Sequence, residues 1–296
     1  MKKTTRALIA FIIFVYVAAV IVTAVFALNG KPYFYDVRVA ANDTRTVTHR
    51  LDSFSSVTFC QYDGTYYGGE DNGITFRFEE KASLQKPEIV VPQAIDAFVK
   101  ASVNNGVLEL GTDFLPMLED STMRTHCWFR VDVRVPVTVY LPAGTLASLT
   151  VPEVCDNIRF NIVGLTAKSF AYNGLRDVTF SGCRIDTLCN SGGFPDSLDL
   201  NGSERDYGTF SVMMEKNTEV KDMIVRRNPS KLVLKTDSVS SVGLLIREVG
   251  YDRNVDLSIA NANVGQFRWI PGSYSSRLRL DITEPFDLSL NERGEH

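Results

Sequence analysis

Histidine is scarce in this sequence, with only three, at positions 49, 126 and 296. No His-x-x-x-His or Cys-x-x-Cys spacing occurs, so the ligand sets from which zinc sites are usually built are missing. A glycine-rich phosphate loop with its lysine and a Gly-x-Ser-x-Gly elbow are missing too, which removes the local signatures of nucleotide chemistry and serine hydrolysis. An excess of one charge is also lacking. The formal net charge is -4, giving no global reason to expect nucleic acid or an anionic membrane surface as a partner. The one histidine beside a cysteine is His126-Cys127, and adjacent side chains on extended chain point to opposite faces rather than at each other. No catalytic residue, cofactor or metal site is expected.

Cysteine is sparse: Cys60, Cys127, Cys155, Cys183 and Cys189. The odd count leaves at least one unpaired within a monomer. Val57-Thr58-Phe59-Cys60 and Leu188-Cys189 read as strands in which cysteine is a small buried hydrophobe. Cys183 and Cys189 are the pair to test for a disulfide in an exported chain.

What the sequence does contain begins with a basic N-terminus, Met1-Lys2-Lys3-Thr4-Thr5-Arg6, followed by an uncharged apolar run from Ala7 to Leu28. That run, about 22 residues, is long enough on a count of residues to cross a ~30 Å hydrocarbon layer. Residues 1–30 are therefore expected to be a cytoplasmic N-terminus and a membrane anchor through Ala7 to Leu28, with a cleaved signal peptide as the rival reading. Either way the body is expected in the periplasm or outside the cell.

Charged residues at 22% and hydrophobic ones at 45% describe an ordinary folded body. Its clearest stretch is Val131 to Val151. Val131, Val133, Val135, Val137 and Val139 fall on one side of a strand, with Asp132, Arg134, Pro136, Thr138 and Tyr140 on the other, a period of two with one buried face. A turn at Pro142-Ala143-Gly144 follows. Upstream, Ile74, Phe76 and Phe78 alternate with Thr75, Arg77 and Glu79, and Asn104-Asn105-Gly106 predicts a tight hairpin turn. Downstream a short theme repeats. Apolar triplets precede Asn173-Gly174, Ser181-Gly182, Asn190-Ser191-Gly192 and Asn201-Gly202. Units this small cannot bury their own apolar side and must stack. An antiparallel β-sandwich is the alternative for strands at this spacing. The expected architecture is all-β, a single N-terminal transmembrane helix followed by a β-rich leading part over 37–145 and a stacked β-helix (solenoid) over 146–290. Residues 291–296 form a polar tail.

Phe54-Ser55-Ser56-Val57, then Val99 to Leu110 with its Asn-Gly turn, then Val137-Thr138-Val139-Tyr140-Leu141-Pro142 with Leu146 and Leu149, resemble the auto-transporter adhesin head domain, the GIN or head-domain family of Bacteroidetes envelope proteins. The resemblance spans about Thr46 to Leu290. It implies a β-helix outside the cytoplasm and carries no catalytic residues with it.

Tyr62, Tyr66, Tyr67 and Trp128 are the candidate ligand-binding residues, since flat rings bind the apolar faces of sugars. They equally suit the caps that a stack of strands requires. Lys221, Arg226, Arg227 and Lys231 form a basic cluster, but Glu215, Glu219 and Asp222 are interleaved, as on a solvated face. The expected function is an adhesin-like binding protein without catalysis, with glycans or envelope and host surface proteins as partners. One alternative is a polysaccharide-degrading β-helix enzyme drawing on Asp177, Asp186, Asp196, Asp199 and Asp206, two of which would have to face each other across a groove. Another is an envelope scaffold or sensory partner that binds through an exposed strand edge.

Overall fold

The computed structural model describes residues 3–29, 34–61, 73–117, 128–151, 158–174, 178–190, 209–215, 218–225, 231–236, 242–247, 254–260, 264–270 and 277–282. One α-helix, α1 (Lys3–Asn29), precedes the strands. The first are β1 (Phe34–Val39), β2 (Thr46–Arg50), β3 (Ser56–Gln61), β4 (Gly73–Glu80) and β5 (Glu88–Pro92). A 3-10 turn at Gln93–Phe98 leads to β6 (Val99–Asn104), β7 (Val107–Thr112), β8 (Trp128–Leu141), β9 (Ser148–Thr150) and β10 (Ile158–Val163). Then come β11 (Thr166–Asn173), β12 (Val178–Ser181), β13 (Arg184–Asn190), β14 (Thr209–Glu215) and β15 (Glu219–Val225). The last described are β16 (Lys231–Thr236), β17 (Val242–Arg247), β18 (Asn254–Ala260), β19 (Val264–Ile270) and β20 (Arg277–Ile282).

These strands make two sheets. The larger, of 11 strands, runs β2-β5-β8-β4-β10-β12-β14-β16-β18-β20, with β1 also paired to β8. The smaller, of 9 strands, runs β19-β17-β15-β13-β11-β9-β3-β7-β6. From β9 onward consecutive strands alternate between the sheets, and each pairs in parallel with a strand two places away in sequence. The antiparallel pairs are near the start: β2 with β5, β5 with β8, and β6 with β7. The β6–β7 hairpin turns through Asn105 (φ 52) and Gly106 (φ 77), both positive as a type I′ turn requires.

Parallel register places like on like. Val137, Phe76, Phe160, Val178, Val212, Leu234, Ile259 and Ile282 occupy one column across eight strands of the larger sheet. In the smaller sheet Phe170, Leu188, Met223, Leu244 and Phe267 do the same. The two inner faces meet through aromatic rings. Phe59 of the smaller sheet stands edge-on to Phe76 and Phe160 of the larger, at centroid distances of 4.9 and 5.4 Å, and Phe170 meets Phe180 at 6.0 Å. All five are fully buried. Edge-to-face geometry adds to the burial of large rings, so this cluster fixes how far apart the sheets sit.

The corners between the sheets are tied as closely as the strands. Gly164 (φ 71) and Gly182 (φ 63) turn the chain in the left-handed region, where glycine carries no Cβ penalty. Gly164 N–H donates to Ser181 O at 2.9 Å, and Gly182 N–H to Glu215 O at 3.1 Å, so one corner rests on the next. The next corner has Thr218 instead, fully buried. Its hydroxyl lies 2.6 Å from Glu215 O and 3.0 Å from Phe180 O, and accepts from Cys183 N–H at 3.3 Å. On the side of Gly164 away from Ser181, a side chain reaches across the corner. Glu80 accepts from Gly144 N–H at 2.8 Å and from Thr166 N–H at 3.1 Å. Gly174 is a glycine for a different reason: a Cβ there would stand 2.9 Å from the Tyr172 hydroxyl.

The expected architecture is corrected in two respects. Among the described residues no helix is long and apolar enough to cross a membrane. The sequence reading rests on a count of uncharged apolar residues from Ala7 to Leu28, and such a count credits every residue of the run equally. The body, in turn, is two open sheets and not a closed solenoid. Among the described residues, strands bond only within their own sheet, and the ends of one sheet, β2 and β20, do not pair with those of the other, β6 and β19. Sequence spacing records how often strands recur but not how they close, which is why both arrangements fitted it.

Replacing Phe160 by alanine should cost about 3–5 kcal/mol, the range for a buried aromatic, and chemical denaturation will measure it. A loss below about 1 kcal/mol is incompatible with the ring cluster setting the sheet separation. Thr218→Val, which keeps shape and strands the corner's donor and acceptors, should cost about 1–3 kcal/mol, while Thr218→Ser should cost less.

Candidate binding groove

β8 is the longest strand, and its pairing changes halfway along. β1 pairs with it in parallel as far as Val39 opposite Val133, and β5 takes over in antiparallel at Val90 opposite Thr138. On its other flank β4 pairs Ile74 with Val133 and then Phe76 with Val137. Thr75 alone therefore faces Arg134, Val135 and Pro136, so β8 bulges by two residues. Proline suits that position because it cannot donate to a ladder. Val135, which the alternation placed inward, is only half-buried here, while Val133 and Val137 on either side are in the core.

The bulge opens an outward groove of about 430 Å³ lined by Gly73, Thr75, Asp132, Val133, Arg134 and Arg159. Its volume falls within the range of small-molecule sites. Gly73 lies at φ 141, a backbone angle that side chains with a Cβ avoid, and it sits opposite Asp132. Arg159 of β10 is in register with Thr75. Arg134 reaches back to its own strand: Nε is 3.2 Å from Asp132 Oδ1 and Nη2 is 3.4 Å from Oδ2. These are long for a bidentate charged pair. The side chain of Asp132 is 19% exposed and that of Arg134 65%. The groove thus offers two guanidinium groups, a carboxylate, a threonine hydroxyl and bare glycine backbone. It can bind and orient a polar or anionic group.

Most residues singled out from sequence lie outside the described residues. Tyr62, Tyr66 and Tyr67 lie outside the described residues, and Trp128 is the first residue of β8, in register with Phe34. Of the five aspartates, only Asp186 is described; its carboxylate is 2.5 Å from Lys221 Nζ, a bond that raises the lysine's pKa. Asp177, Asp196, Asp199 and Asp206 lie outside the described residues, as do Cys127, Cys155, His126, Arg226 and Arg227. The groove left little trace in the sequence. A two-residue bulge keeps the alternation in phase, so the valine pattern runs through it unbroken, and Pro136 is its one local sign.

His49 and Asp96 form another contact that sequence reading missed, with Nε2 and Oδ1 2.6 Å apart. It ties the edge strand β2 to the 3-10 turn, and both side chains are partly exposed. Among the described residues no group of histidine, cysteine, aspartate and glutamate could hold a metal ion.

Cys60, Cys183 and Cys189 are free thiols. Cys183 and Cys189 flank and occupy β13, and six extended residues separate their Cα atoms by about 20 Å. A disulfide needs roughly 4.4–6.8 Å, so this structure cannot form the pair considered from sequence. Cys183 is fully buried, with Sγ 3.3 Å from Ile162 O.

Among solved structures the chain is similar to a "putative adhesin" of Bacteroides fragilis NCTC 9343, at 10% identity and TM-score 0.38, covering 86% of this chain and 98% of that one. It is also similar to a "putative lipid binding protein" of Parabacteroides distasonis ATCC 8503, at 9% identity and TM-score 0.34, covering 88% and 100%. A "putative cell adhesion protein" of Clostridium sporogenes ATCC 15579 follows at 11% identity and TM-score 0.24, covering 83% and 97%. At these scores the likeness carries no argument about ligand or activity. No family profile and no curated protein matches the chain.

Burial pushes the Cys183 thiol up from 9.0 to about 11, against smaller opposing effects of the neighbouring backbone. The folded thiol stays neutral where an unfolded one ionises. Its contribution to stability is therefore complete below pH 9 and is lost as pH rises through about 11. Iodoacetamide at pH 8.5 should modify Cys183 only after denaturation, which peptide mass mapping will show. Rapid labelling of the native protein at Cys183 would contradict the buried corner.

Proposed function

We propose that the chain is a non-catalytic surface-binding protein, a relative of the auto-transporter adhesin heads, whose body works outside the cytoplasm. It presents the outer face of its larger sheet to glycans or to envelope and host surface proteins. The observation that carries this reading is the groove at the β8 bulge, a ready-formed polar cleft with arginines and a carboxylate on rigid strands. Sites on strands hold their groups in place more firmly than sites on loops. Export is supported by the basic residues ahead of the apolar run at Ala7 to Leu28.

The rival hydrolase would need two carboxylates about 5 or 6.5–9.5 Å apart across a groove. The groove described has the single carboxylate of Asp132, which Arg134 already engages. The full-length protein should bind one or more members of a panel of polysaccharides and matrix proteins saturably, with no rise in reducing ends. Product release would overturn the reading in favour of an enzyme. A panel that gives no binding, combined with a protein partner that survives purification, would replace it with a scaffold. Protease should degrade the body either on intact cells or once the outer envelope is permeabilised with the inner membrane intact; protection in both would count against its being outside the cytoplasm.

A further inference from the structure

Resting on the surface-binding reading, we propose that the groove beside the β8 bulge is a subsite for a small acidic sugar, a ligand with one carboxylate and several hydroxyls. The donors and acceptors are mixed in a way that selects for this class. Arg134 and Arg159 line the same cleft from β8 and β10. Guanidinium groups grip carboxylates in bidentate fashion and keep their charge at every working pH. A groove for a bare anion would gain nothing from a carboxylate in its wall. Asp132 is there nonetheless, and its oxygens can accept hydrogen bonds from hydroxyls while the long contacts at 3.2 and 3.4 Å let Arg134 turn to a ligand. Thr75 adds a hydroxyl on the same face. Gly73 removes a Cβ from the lining, so a flat ring can approach backbone.

The volume, about 430 Å³, suits a small ligand or the end of a chain rather than a folded partner's surface, since specific protein interfaces are broad and standard-sized ones bury about 800 Å² per side. The groove lies on the flank of β8 that faces β4 and β10; of its β8 residues Asp132 and Val133 pair with β1 on the other flank, and Arg134 lies just past the end of that pairing.

Titration calorimetry on the full-length protein with galacturonate tests this, with glucose and inorganic phosphate as controls. Galacturonate should bind saturably and glucose should not. Arg134→Ala and Arg159→Ala should each weaken binding about tenfold or more, the scale of losing a charged hydrogen bond. Arg159→Lys should recover part of the loss. Asp132→Asn should strengthen phosphate binding while narrowing the preference for galacturonate over phosphate, because it removes a repulsive charge and a hydroxyl acceptor together. The three substituted side chains project from the outer face, and the thermal melt of each of the four variants should match the parent.

If galacturonate binds no better than glucose, or the arginine variants bind it unchanged, the acidic-sugar assignment is wrong. Should the same protein still bind a panel surface, the broader surface-binding reading stands alone. Absence of binding to galacturonate and to every panel member removes both.

Discussion

The stacking of this protein depends on parallel register, from β9 onward between strands two places apart in the chain. Once Phe76 lies beside Phe160, and Phe160 beside Val178, the neighbouring columns follow, since side chains alternate strictly across a strand. A one-residue slip anywhere would turn a buried column outward. The rings of Phe59, Phe76 and Phe160 make that slip costly where the two sheets face each other, and they sit at the level of the long strand β8.

The corners carry the second constraint. A chain that crosses between sheets must leave backbone donors and acceptors at each crossing, and burying them unpaired is costly. Here the crossings stack, so the amide of one corner meets the carbonyl of the next. Where a corner lacks glycine, the Thr218 hydroxyl takes over the bonding. At Gly144 and Thr166, Glu80 takes the place that another carbonyl would fill. Local chemistry differs from corner to corner while the geometry persists. That explains why the sequence repeat is so faint.

Much of the body was legible from alternation. Ile74, Phe76 and Phe78 are inward-facing and buried, the Asn105-Gly106 turn closes a hairpin, and Gly144 turns the chain after the long strand. Ser181-Gly182 is a corner, whereas Gly164 was overlooked because Val163 before it is not a turn residue. The closure of the sheets could not be read, because hydrogen-bond partners far apart in sequence leave no local periodicity. The apolar N-terminal run gave a length count, and a count does not settle whether a helix crosses a membrane. The candidate site was hardest. Arg134 and Arg159 are 25 positions apart and meet only through β4, which lies between their strands in the larger sheet.

The β8 bulge adds two residues to the strand, and the number matters. Side chains repeat every second residue, so an even insertion lengthens the outer contour by about 6.6 Å and leaves the interior in step. A paired insertion of this kind opens a recess on the outer surface without disturbing the packing beneath. A strand can thus take on an outer recess while its core face keeps step, a route closed to helices, whose period admits no such short whole-number step.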